Sequence, residues 1–250
     1  MSHTIIVRVA TPDDKKYSEI ITTEMEESAK ARGTGIAKRS PLYIEQKMDE
    51  GKAVIAVMPD GAWVGFCYIE AWQHEKYVAN SGLIVSPAFR KTGIATEIKR
   101  KVFDLSRKKY PDAKIFGLTT GLAVMKINSD LGYEPVTYSE LTTDDEFWKG
   151  CQSCVNYDIL MSKGRKNCMC TAMLYDPVEK AKEAEEKKAL ALTQSEPVVV
   201  NAEARDFAEN SRLYERFMRF KQFVLLKGWK KKNGESPNNK SSLLSFLFFW

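Results

Sequence analysis

One stretch limits the fold of this chain more than any other: NSGLIVSPAFRKTGIATEIKRKVF, Asn80 to Phe103. An apolar run ends at Val85, a basic loop with one glycine follows, and an amphipathic helical pattern begins at once. Strand, glycine loop and helix in that order aim the free N–H groups of a helix's first turn, and the positive end of its dipole, at whatever lies above the loop. Gly93 has no Cβ, so a ligand oxygen can approach the backbone closely. Arg90 and Lys91 add positive charge at the mouth. The loop is neither the long Lys-Ser/Thr glycine loop of nucleoside-triphosphate sites nor the three-glycine dinucleotide fingerprint. It suits a pyrophosphate, and an ordinary basic helix N-terminus is the competing reading.

The pattern around this unit is α+β. Residues 4–10 read as a β-branched strand, and Thr11-Pro12-Asp13-Asp14 starts a helix expected to reach Ala31. Pro41 opens a short helix to about Glu50. KAVIAVM and AWVGFCYIEAW flank a turn at Pro59–Gly61 and form an antiparallel pair, with KYVANSGLIV as the third strand. The glycine loop and its helix run to Tyr110. AKIFGLTT is then a strand, LAVMKINSDLG a helix stopped by Gly132, and YEPVTYSEL a strand; residues 155–161 and 170–175 are expected to add two more. An antiparallel meander followed by β-α-β-α-β predicts a mixed, mostly antiparallel, twisted sheet flanked by helices over residues 1–176.

A chain of 250 residues, 44% hydrophobic and 28% charged, suffices for one large domain with an extension. A net charge of +5 admits an anionic ligand without demanding nucleic acid. The start lacks signal-peptide features and no run of about 18 apolar residues occurs, so no transmembrane segment and a cytoplasmic address are expected. Residues 177–210 read as a charged helix and linker, and 211–250 as a basic amphipathic helix with an apolar tail. There Leu213, Phe217, Phe220 and Val224 fall at helical spacing among Arg212, Arg216, Arg219 and Lys221. This segment suits an anionic membrane surface, the body of the protein itself, or a second copy in a homodimer. No motif for nucleic acid accompanies it.

The strand GLIVSPAFR, the pattern Arg90-x-x-Gly93-x-Ala95 and the helix after it together resemble the coenzyme A loop of the GNAT superfamily of N-acetyltransferases. TIIVRVA with TPDD resembles that family's first strand and helix, WVGFCYIE its hairpin, and LAVMKINSDLGYEPV its later helix ending in Leu-Gly-Phe/Tyr. The resemblance covers residues 4–140 in order and implies the GNAT fold with acyl-coenzyme A as co-substrate. It implies that the backbone at Leu83, Ile84 and Val85 holds the pantetheine arm and acyl carbonyl, where a bulge splays the strands. It assigns the pyrophosphate to the N–H groups of Arg90, Lys91, Thr92, Gly93, Ile94 and Ala95, and the thiol end to the helix bearing Asn128. Many members place a tyrosine four residues before that glycine, as acid for the leaving thiolate. Asn128 stands there instead and cannot usefully give a proton. Ser129, Tyr133, a water, or an unaided thiolate takes that role. An amine acceptor also needs a base; Glu70, among apolar residues in CYIEAW, is preferred over His74 and Glu75 in the next turn.

The loop ARGTGIAKRSP covers the acceptor in this family. Arg32, Lys38 and Arg39 give it forks and charge suited to carboxylates, so a small amino acid is the expected acceptor. ESAKARGTGIAKR, KIFGLTTGLAVMKINSDLGY and FWKGCQSCVNYDIL are similar to a bacterial subgroup linked to arginine biosynthesis, over residues 25–176. That similarity implies acylation of the glutamate α-amine from acetyl- or succinyl-coenzyme A. Another amine as acceptor (an amino acid, a polyamine or a peptide N-terminus), or a coenzyme-binding or membrane-associated module without catalysis, are the alternatives. Cys151-x-x-Cys154 and Cys168-x-Cys170 at the end of this region read as a structural zinc site, as small buried residues, or as one reactive thiol.

Overall fold

The computed structural model describes residues 4–33 and 38–193. The linker and basic amphipathic segment beyond Thr193 lie outside the described residues. Seven strands form one sheet: β1 (Ile6–Val9), β2 (Ala53–Val57), β3 (Trp63–Trp72), β4 (Tyr77–Val85), β5 (Lys114–Thr119), β6 (Glu134–Val136) and β7 (Thr171–Tyr175), in the order β1-β2-β3-β4-β5-β7-β6. All neighbours are antiparallel except β4 and β5, which the crossover helix α3 (Ile94–Lys109) joins in parallel.

Strand β2 is buried at all five residues because helices cover both faces of the sheet. The side chains alternate between them. Ala53 and Ile55 pack with Ile21 and Met25 of α1 (Ser18–Arg32) and Ile44 and Met48 of α2 (Pro41–Asp49), whereas Val54 and Ala56 pack with Ile94, Ile98 and Val102 of α3. A third apolar cluster joins Phe116, Ala172 and Leu174 to Trp148 and Leu160, on α5 (Asp145–Lys149) and α6 (Tyr157–Ser162). Helix α4 (Leu122–Asp130) connects β5 to β6.

Three local expectations are corrected. The first helix starts as a 3-10 turn over Pro12–Tyr17, because Asp14 is drawn inward at 2% exposure. Its carboxylate takes both Nη atoms of Arg8 (2.6 and 2.8 Å) and the Thr11 N–H (2.8 Å). The strand predicted from Tyr133 is only three residues long. Glu140 accepts the Thr137 N–H (3.1 Å) and closes a 3-10 turn that ends β6. Residues 155–161 hold helix α6 rather than a strand: Leu160 is buried in the third cluster with Tyr157 packed against it, while Val155, Ile159 and Met161 stay exposed. The predicted strand at 170–175 is β7, and the charged helix is α7 (Pro177–Thr193), capped by Asp176 Oδ1 on the Val178 N–H (2.9 Å).

Candidate active site

Strands β4 and β5 pair only at Tyr77–Lys114, Val78–Ile115 and Ala79–Phe116. Beyond that point β5 continues along β7, while β4 runs on from Asn80 to Val85, so a wedge opens between them. On its other edge β4 carries a bulge. Phe66 pairs with Ile84 and Tyr68 with Ser81, which leaves Cys67 opposite two residues, Gly82 and Leu83. Gly82 has φ +65°, and a Cβ there would lie 2.3 Å from Tyr68 Cε1. The backbone of Leu83, Ile84 and Val85 thus forms the β4 wall of the wedge.

The glycine loop sits at the open end. Lys91 and Gly93 have φ of 64° and 87°, and Gly93 caps α3 with no heavy atom of the described residues within 4 Å of where its Cβ would be. Thr92 Oγ1 donates to Phe89 O (2.7 Å), and Thr96 N–H to Gly93 O (2.9 Å) marks the start of the helical ladder just beyond Ile94 and Ala95. Arg90 departs from the expectation. Its N–H closes a turn on Pro87 O (3.3 Å), and its side chain folds back from the mouth to Val85 O (3.0 Å), Ser28 Oγ (2.7 Å) and Glu24 Oε1 (2.6 Å). Arg90 therefore braces β4 against α1.

The α3–α4 side of the wedge carries Asn128 and Tyr133. Asn128 is 1% exposed; Nδ2 reaches Met173 Sδ (3.7 Å) and the buried Oδ1 has no hydrogen-bond partner among the described residues. Ser129 points to solvent. Tyr133 is buried and its hydroxyl donates to Asn80 Oδ1 (3.0 Å), while Asn80 Nδ2 donates to Ser106 Oγ (2.8 Å). Burial, then the nearby Cys67 thiol, hold the Tyr133 hydroxyl well above its usual pKa. The Tyr133 hydroxyl proton is thus engaged by Asn80.

On the α1–α2 side, Tyr68 and Glu70 project from the same face of β3. Arg39, which precedes α2, donates Nε to Tyr68 Oη (2.9 Å) and Nη2 to Glu70 Oε1 (3.1 Å), and stacks 5.0 Å from the Tyr43 ring centroid. Tyr43 donates to the same Oε1 in a very short bond. Burial opposes the Arg39 charge, yet Tyr68 and Glu70 hold its pKa above the ordinary value. Burial, then Glu70, push Tyr43 up, and the same two causes push Tyr68 up. The predicted base and one predicted acceptor ligand thus bind each other. The other two basic residues do not join them. Lys38 is exposed and reaches Glu26 Oε1 (3.4 Å), with its N–H on Ser153 Oγ (3.2 Å). Arg32 lies in the field of Arg90 and Glu24, burial pushing its pKa down. His74 and Glu75 are exposed in a turn where Gln73, His74 and Glu75 all have positive φ, at the end of β4 away from Val85.

Tyr43, Tyr68 and Gly82 were not singled out from the sequence. A lone glycine inside a strand is the bulge signal, and i, i+2 spacing places Tyr68 beside Glu70.

The structure gives the zinc reading no support. Among the described residues no group of three or more His, Cys, Asp or Glu could hold a metal ion. Burial, then the neighbouring thiols, push Cys151 up to about 11 and Cys170 up to about 12, and Cys151 and Cys168 pack into the third apolar cluster. Cys151 and Cys168 are thus wall residues of that cluster, and Ser153, between Cys151 and Cys154 in sequence, accepts the Lys38 N–H.

Residues 19–123 match the family model of the acetyltransferase (GNAT) family. A search of curated proteins finds no match. Among solved structures, N-acetylglutamate synthase from Neisseria gonorrhoeae complexed with coenzyme A and N-acetyl-glutamate aligns over 70% of this chain and 36% of that one, with 17% identity and a TM-score of 0.50. The chain thus spans about a third of that enzyme's length. A Mycobacterium tuberculosis protein in complex with CoA aligns over 68% of this chain and 98% of that one (18% identity, TM-score 0.49). Phosphinothricin acetyltransferase from Sinorhizobium meliloti in complex with acetyl-CoA aligns over 69% and 88% (16% identity, TM-score 0.47). No helix of the described residues is long and apolar enough to cross a membrane. Residues 19–123, which match the acetyltransferase (GNAT) family model, hold strands β2 to β5 of the seven-stranded sheet.

Proposed function

We propose that this chain is an acyl-coenzyme A N-acyltransferase whose acceptor is a small α-amino acid, with the α-amine of L-glutamate the preferred candidate and arginine biosynthesis its setting. The supporting observation is the wedge: β4 parts from β5 after Ala79, bulges at Gly82, and meets a helix N-terminus at Gly93. That geometry suits an extended pantetheine arm along Leu83–Val85. A pyrophosphate fits over the N–H groups near Gly93, Ile94 and Ala95, with Lys91 and Thr92 beside it. The acyl carbonyl then lies against backbone N–H groups that face the developing oxyanion. Asn128 Oδ1, buried without a partner, offers an acceptor to the coenzyme's thiol end.

The Arg39–Glu70 pair supports an amino acid over a bare dicarboxylate. Arg39 suits the α-carboxylate, and Glu70 suits the ammonium and takes its proton, directly or through a water, as the amine attacks. The two groups sum to zero, which fits a zwitterion. A second carboxylate, as in glutamate, needs one of the separated cations, Arg32 or Lys38. The competing acceptors are another amino acid, a polyamine or a peptide N-terminus. Acetyl and succinyl donors both suit a coenzyme A site.

Thiol release from acetyl- and succinyl-coenzyme A, measured across a panel of amino acids, polyamines and peptides, tests this reading. Turnover with α-amino acids, glutamate foremost, is expected. Coenzyme A binding without turnover on any amine would instead favour a coenzyme-binding module.

A further inference from the structure

Lys99, on the second turn of α3, is 2% exposed. Among the described residues its amine meets the face of the Tyr133 ring, 5.3 Å from the centroid, and no carboxylate forms an ion pair with it. An interior ammonium without a counter-ion is unfavourable, and burial pushes this amine below its ordinary pKa. Packing alone gives no reason for the residue, since Leu or Met fills such a place without charge.

Its surroundings place it. Cys67, the other group whose field it feels, is the β3 residue opposite the Gly82–Leu83 bulge, with Sγ on Ser81 O (3.3 Å). Tyr133, under the amine, holds Asn80, the first β4 residue past the last pairing with β5. Tyr133 N–H also binds Asn128 O (3.0 Å), so the residue with the orphaned Oδ1 adjoins the same spot. Lys99 therefore stands between the bulge and the root of the wedge, on the α3–α4 side. The titratable groups around it are Cys67 from β3, Tyr133 ahead of β6, and Tyr175 of β7 behind that ring.

We propose that Lys99 supplies the positive charge that receives the coenzyme's sulfur as the thioester breaks, in place of the proton that Asn128 cannot give; this rests on the acyl-coenzyme A reading above. In the step, the acceptor nitrogen bonds to the carbonyl carbon, and the C–S bond breaks with its electron pair left on sulfur. The amine's proton passes through Glu70 or water to solvent. The thiolate departs paired with the Lys99 ammonium, whose buried charge then has its counter-ion. The Tyr133 face holds the ammonium in the interim.

Lys99→Met removes the charge at similar volume, and Lys99→Arg keeps it. For Lys99→Met, kcat is expected to fall about 10²-fold, the usual scale for one charge-stabilising group. KM for acetyl-coenzyme A and the melting temperature should hold, or the latter rise. The readout beyond turnover is the thiol of bound coenzyme A, titrated by thiolate ultraviolet absorbance as a difference from coenzyme-free protein. Its half-point should move to a pH higher by about 1 or more in Lys99→Met, since an adjacent cation lowers an acid's pKa on that scale. A kcat within about twofold of wild type, with the titration unmoved, overturns the assignment and leaves the acyltransferase reading intact. Equal losses in the Met and Arg variants with lowered melting temperatures mark a packing role and overturn it as well. If wild type binds no coenzyme A, both readings fall.

Discussion

The bulge at Gly82 makes the sharpest demand on a single residue, and Gly82→Ala tests it. Two costs combine. The left-handed backbone, φ +65°, is disfavoured for any residue with a Cβ, by about 1–2 kcal/mol. The added methyl would also lie 2.3 Å from Tyr68 Cε1 and 2.9 Å from Met25 Cε. Tyr68 cannot swing aside, because it is 2% exposed and its hydroxyl is held by Arg39 Nε at 2.9 Å. Overpacking of this kind costs about 1–3 kcal/mol. The sum is about 2–5 kcal/mol, and a domain of this size loses about 2–4 °C per kcal/mol, so the melting temperature should fall by roughly 4–20 °C. Scanning calorimetry reads it directly. The variant should also lose acyl transfer more than stability alone explains, since straightening the bulge moves both the Leu83–Val85 wall and the Tyr68–Arg39–Glu70 set. A melting temperature within about 2 °C of wild type would show that β4 does not need its left-handed residue, and the wedge argued from it would go too.

Arg39→Met should cost about 3 kcal/mol by stranding Glu70, which is 5% exposed, and Glu70→Gln in that background should restore part of it in a double-mutant cycle by chemical denaturation. Burial raises the Asp14 pKa, but the Arg8 and Thr11 hydrogen bonds outweigh it and leave the carboxyl below its usual 3.8. That contribution is complete above the unfolded-state pKa and is lost as pH falls from there through the lower folded-state pKa, so stability should decline below about pH 4, with a smaller slope in Asp14→Asn. Cys67 and Cys151, pushed up to about 11, and Cys170, to about 12, should resist iodoacetamide at neutral pH in the folded protein, as read by mass spectrometry. Dialysis against a chelator should leave the melting curve unchanged.

The strand order of events along the chain was legible because period-2 apolar runs and turn residues are local signals. TIIVRVA, KAVIAVM, WVGFCYIEAW and KYVANSGLIV each contain an observed strand, and the helix after Gly93 starts where the glycine says it should. The failures share one cause. The helix at Tyr157, the short β6 and the 3-10 start at Pro12 are set by a single anchor or a side-chain hydrogen bond, from Leu160, Glu140 and Asp14 respectively. Such anchors outweigh propensity, and no local pattern announces them.

The sequence by itself determined that a glycine loop opens a helix directly after a strand, because glycine at a helix start is a backbone requirement written in one residue. Only the tertiary structure decided which charges meet. Arg39 and Glu70 stand 31 residues apart and pair through β3 and the start of α2, while Arg90, basic and beside the glycine, turns away to Glu24. Lys99 shows the same limit. In TEIKRKVF it looks like one more cation on a wet helix face, and it is the one that α3 carries inward. Coulomb and burial energies depend on distances across the sheet, and those distances exist only once the strands have paired.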